Sequence, residues 1–146
     1  MLSRLKSLHA NEATNALSID AIGWLFLRAD ELSKAHKLSK QETTLVKEKL
    51  KAVIDQMLQN NIKHGFVWNK KNETWMDTSY NDNGREGARI EIQAMQLRMY
   101  KLMHELTKNE TYLLLEKSLR HNVRKYFWNN HFLADGLKDF TFRPNI

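Results

Sequence analysis

One proline, Pro144, and five glycines in 146 residues leave little to interrupt a helix. A chain so poor in breakers is expected to fold as long helices joined by short turns. Apolar periodicity then marks out four of them. The first runs from about Ile19 to His36, with Ile22, Phe26 and Ala29 on one stripe and Trp24, Leu25 and Leu27 widening it, which predicts a largely buried helix. The second opens at Ser39 with Glu42 three residues on, the reciprocal capping pattern, and continues through Val46, Leu50, Val53 and Met57 to Asn60-Asn61. The third spans about Arg89 to Leu106 on Ile92, Met95, Met99, Leu102 and Leu106. A fourth starts at Asn109 and ends near Trp128. Short connections predict two antiparallel helix pairs.

Between the pairs lies ETWMDTSYNDNGREGARIEIQA, residues 73 to 94. Phe66-Val67-Trp68 and Glu73-Thr74-Trp75, separated by the turn-like Asn69 to Asn72, predict a small hairpin that leads into this stretch. A linker would avoid tryptophan, so Trp75-Met76-Asp77 and the two arginines beyond it call for a chemical reason.

Composition narrows the chemistry. With no cysteine there is no disulfide, no thiolate metal site and no thiol nucleophile, and a reducing, cytoplasmic setting is expected. No stretch approaches the roughly 20 apolar residues of a membrane span, and the start MLSRLKSLHANEA lacks a signal-peptide core. The net charge of +6 is scattered; Arg120 to Lys125 is the only local basic cluster. The six histidines form no metal-binding spacing, so no metal is assigned, and Gly84 and Gly87 are too few to cradle phosphates.

Carboxylates in unusual company remain. Asp20 and Glu91 stand in the first turns of helices, where the helix dipole alone stabilises an acidic side chain. Asp77 is at no evident helix end, and the Trp75-Met76 wall before it would favour its protonated form. An acid kept protonated near neutrality is what glycoside hydrolysis needs at the leaving oxygen, and indole faces stack on the C–H faces of sugars. Arg85 and Arg89 would oppose this if they lay close to Asp77; they have Glu91 and Asp82 as alternative partners.

Thr74-Trp75-Met76-Asp77, followed by Arg85-x-Gly87-x-x-Ile90-Glu91-Ile92-x-Ala94, resembles the amylo-α-1,6-glucosidase region of glycogen debranching enzymes. Ser18-Ile19-Asp20-Ala21 with Trp24 and Phe26, and Arg143-Pro144-Asn145, resemble two further family segments in the same order. The resemblance implies an all-α fold, part of an (α/α)₆ barrel: about two helix hairpins with a short β-hairpin and pocket loop between them. Residues 1–146 would form a single partial domain with 1–17 irregular. Carried over by position, Asp77 is implied to be the catalytic general acid, and Asp20, Trp24, Trp75 and Glu91 to bind the terminal glucose. The implied reaction is inverting hydrolysis of α-1,6-linked glucose on an α-glucan, glycogen or its limit dextrin, with no cofactor.

The family's chains are several times longer, and their general base is a glutamate beyond the Arg-Pro-Asn segment. Asp82 and Glu91 offer carboxylates, but neither matches that base. The expectation is therefore a split or truncated enzyme, inactive alone and completed by a complementary chain or by self-association, because helices made for both layers of a barrel would leave Trp24, Leu25 and Phe26 uncovered. The alternatives are a non-catalytic helical carbohydrate-binding or protein-interaction module, and a nucleic-acid binder using Arg120, Arg124 and Lys125.

Overall fold

The computed structural model describes residues 19–74 and 84–138. The stretch 1–17, Trp75, Asp77, Asp82 and Arg143-Pro144-Asn145 lie outside the described residues.

Helix α1, Ile19–Lys34, buries Ile19, Ile22, Phe26 and Ala29 at the expected three-to-four spacing. Removing a side chain such as Phe26 from water is worth about 1.5–3 kcal/mol at most. The helix stops in a Schellman arrangement: His36 turns left-handed at φ 53°, its N–H bonds to the Ser33 carbonyl, and the Lys37 N–H reaches back to Leu32. Helix α2, Lys40–Asn60, begins at the predicted capping box. The Ser39 hydroxyl accepts from the Glu42 N–H at 3.2 Å and the Glu42 carboxylate accepts from the Ser39 N–H at 2.7 Å. Those bonds hold the Glu42 carboxyl below its ordinary pKa, the backbone N–H contributing most.

Helix α3, Ile90–Thr107, and helix α4, Glu110–Phe127, are joined by Lys108 and Asn109 alone. Lys108 closes α3 in the left-handed conformation, with its N–H on the His104 carbonyl, and the Asn109 side chain caps α4 at Thr111. So short a connection folds the two helices back to back.

Helix α3 is the centre of the packing and touches all three others. The first helix lies more extensively against α3 than against its sequence neighbour α2. Gly23 makes that possible, since a Cβ there would overlap the Met95 side chain. Further along, Arg98 pairs with the buried Asp30, which Lys34 also holds. Contacts advancing from 23 to 30 on α1 while advancing from 95 to 98 on α3 mean that the two helices run in the same sense. That is the arrangement of neighbouring inner helices in an alternating two-layer barrel, with α2 and α4 as the returning helices. The all-α expectation is met, and one apolar core joins the four helices.

The expected burial of α1 is met on one side only. Of the three side chains expected to be left uncovered, only Trp24 is, at 60% exposed; Phe26 is enclosed and Leu25 half-buried, because α3 covers that flank of the helix. The hairpin is present, one step earlier in the chain than its predicted position. Strands β1, Ile62–Lys63, and β2, Phe66–Val67, pair antiparallel around His64-Gly65, both at positive φ as a tight two-residue hairpin turn demands. Residues 73 and 74 form no strand. Instead β3, Ala88–Arg89, pairs antiparallel with β4, Gly136–Leu137, tying the entry of α3 to the chain beyond α4. No helix among the described residues is long and apolar enough to cross a membrane.

Candidate active site

Since α1 and α3 run in the same sense, their first turns lie at one end of the pair, and these turns carry Asp20 and Glu91. Asp20 is 4% exposed, whereas Trp24, one turn further on, is open to solvent. Glu91 is half-buried. Both carboxylates thus sit at the positive ends of adjacent helices, where acidic side chains are favoured.

The segment between 74 and 84 leaves and returns at a fixed base at this same end. The Ile19 N–H, which opens α1, donates to the Glu73 carbonyl at 2.6 Å, placing Thr74 and the approach to Trp75 beside the turn that bears Asp20. The Asn72 N–H donates to the Gly84 carbonyl at 2.8 Å, and Asn69 and Gly87 exchange two backbone hydrogen bonds of 3.0 and 2.9 Å. The Asn69 side chain adds a third tie, donating to the Arg85 carbonyl at 2.6 Å.

Four charged groups lock the return side. Arg85 donates to Glu91 at 2.6 Å and, through both terminal nitrogens, to Asp135 at 3.1 and 3.2 Å. Arg89, 2% exposed, donates to Asp135 at 2.8 Å and to the carbonyls of Arg85 and Glu86 at 2.9 and 3.1 Å. The two guanidiniums respond in opposite directions. Burial works against the charge of Arg85, but the hydrogen bond to Glu91 and the charges of Glu91 and Asp135 outweigh it, so its pKa rises. For Arg89 burial prevails, reinforced by the positive charge of Arg85 and only partly offset by Asp135, so its pKa falls. Both arginines stay protonated in water at any ordinary pH.

Of the partners open to these arginines in the sequence, Glu91 is taken by Arg85, while Asp82 lies outside the described residues. Asp77 and Trp75 also lie outside them. Arg120 in the basic cluster of α4 is paired with Glu116.

Three residues that hold this end together escaped the sequence reading. Asp135 gave no local signal, being one acid before a glycine in a turn. Asn69 likewise resembled an ordinary turn residue. Gln93 did leave a trace: Arg89, Gln93, Gln96 and Tyr100 recur at four-three-four spacing, a polar stripe on an otherwise apolar helix, and all four are buried. Gln93 acts as a substitute strand for β2, its amide accepting from the Val67 N–H at 2.9 Å and donating to the Val67 carbonyl at 2.7 Å. Gln93→Leu leaves both groups buried and unmet, and is expected to lower the unfolding free energy by about 2–4 kcal/mol. A urea midpoint that falls with an unchanged slope would register it.

The model of a protein family described as amylo-alpha-1,6-glucosidase matches residues 13–146, most of the chain. No curated protein and no solved structure matches it significantly.

Proposed function

The chain belongs to the amylo-α-1,6-glucosidase family, and from that premise we propose that it supplies the terminal-glucose half of a debranching site, with Asp77 as general acid. Asp77 protonates the departing O6 of the main-chain glucose while a water molecule attacks the anomeric carbon of the branch glucose from the opposite face. Asp20 and Glu91 bind sugar hydroxyls, and Trp24 and Trp75 stack on the ring. Inversion requires a second carboxylate ~6.5 to 9.5 Å from the acid to deprotonate that water. A complementary chain, or a second copy of this one, provides it and covers apolar groups such as Trp24. The substrate is an α-glucan, glycogen or its limit dextrin.

The observation that carries this reading is the shared end of α1 and α3, where two first-turn carboxylates stand beside the neck of the 75–83 segment. Glu91 supports a binding role in particular: Arg85 occupies its Oε1, while Oε2 has no partner among the described residues and is available to a hydroxyl.

The test is to purify the chain from its own cells together with whatever it binds, and to incubate the assembly with branch-limit dextrin. Free glucose is expected, appearing first as the β-anomer, and the chain stripped of partners is expected to release none. The exposed Trp24 would equally serve a non-catalytic glucan-binding module. Retention of glucan without release of glucose by any assembly would favour that second reading, and the absence of both would defeat the two together.

A further inference from the structure

We propose that Asp135 is a positioning residue for the saccharide site: through Arg85 it fixes the orientation of Glu91, so that the second Glu91 oxygen accepts a hydroxyl of the terminal glucose. This rests on the glucosidase reading above and adds to it a residue from a separate stretch of chain, beyond α4.

The geometry is that of a relay. Asp135 is 52% exposed, yet it accepts three hydrogen bonds from two guanidiniums. To Arg85 it presents both oxygens, the two-point match that fixes a planar guanidinium in direction as well as in distance. Arg85 is also held from behind. Its backbone sits at φ 53°, uncommon for a residue with a side chain, and its carbonyl accepts from both Asn69 and Arg89. With backbone and guanidinium both fixed, the nitrogen offered to Glu91 has a single position.

Delivery of Asp135 is equally determined. Its carbonyl accepts the Ile90 N–H at 3.0 Å at the very start of α3, and the β3–β4 pairing continues from there. The next residue has to be glycine: a Cβ at Gly136 would come within 2.7 Å of the Arg89 Nη1 and 2.8 Å of its Cδ.

Charge explains why an acid is needed. Arg85 and Arg89 are balanced by Glu91 and Asp135. If Asp135 loses its charge, both guanidiniums lose the acceptor they share, and the Glu91 carboxylate is drawn towards them and away from the sugar.

The experiment compares wild type, Asp135→Asn, Asp135→Glu, Glu91→Gln and the double variant Glu91→Gln with Asp135→Asn, all in the native assembly acting on branch-limit dextrin. Asp135→Asn is expected to raise KM about tenfold, the scale of one charge-assisted hydrogen bond, with a smaller change in kcat. Asp135→Glu is expected to restore part of that loss. In the double variant the Asp135 change should add little to Glu91→Gln, because it acts through Glu91. In parallel, the Arg85 side-chain N–H resonances of the ¹⁵N-labelled chain are expected to be slow in exchange in wild type and to broaden in Asp135→Asn. Additive effects in the double variant, or Arg85 resonances that Asp135→Asn leaves unchanged, overturn the relay. If wild type releases no glucose, the glucosidase reading has failed, and the resonances alone decide whether Asp135 holds Arg85.

Discussion

Gly87→Ala is expected to lower the unfolding free energy by about 3 kcal/mol, a large fraction of the stability of a small domain. Gly87 adopts φ 123°, a region that residues with a Cβ rarely enter, and a Cβ there would overlap the carbonyl oxygen of Leu137. Relaxing that overlap means parting β3 from β4 or breaking the two backbone hydrogen bonds to Asn69. Either way the neck of the 75–83 segment opens. Denaturant titration would measure the loss, with Glu86→Ala as control: that side chain is exposed and its removal should change stability by less than about 0.5 kcal/mol. If Gly87→Ala matches the control, the neck is not rigid.

The second large effect is on turnover. In the active assembly, Asp77→Asn is expected to reduce kcat on branch-limit dextrin by about 10²- to 10⁴-fold, the usual contribution of a positioned general acid. Affinity for the saccharide should change by a few-fold only, since the amide keeps the shape of the carboxyl group and removes its proton-donating role. A discriminating measurement uses α-glucosyl fluoride, whose leaving group departs without protonation. Activity on that substrate should be largely spared, and an equal loss on both substrates would assign Asp77 a role other than proton donation.

What the sequence disclosed follows from the range of the forces involved. Helix positions rest on local periodicity and on groups within four residues of one another, so the Ser39–Glu42 box and the four helices were legible. The hairpin shifted because a two-residue His64-Gly65 turn lacks the asparagine or aspartate that usually marks such turns, while Asn69 to Asn72 offered more conventional turn chemistry. The apolar stripe placed Trp24 inside and the small number of helices left it uncovered; the second holds, because a stripe says how much surface wants covering, and not how many neighbours are at hand. At the site, Asp20 and Glu91 were legible as first-turn acids, and the structure adds that their helices share a direction. Asp135 was invisible, since it meets Arg85 across 50 residues and no local pattern records such a meeting.

The contact of Gly23 with Met95 has an evolutionary consequence. It sets how far apart α1 and α3 stand, and hence the spacing of the first turns that carry Asp20 and Glu91. That gauge is one flexible thioether lying on bare backbone, so a lineage could change the spacing of the two helices by exchanging bulk between these two positions, with no change to the segments that join them.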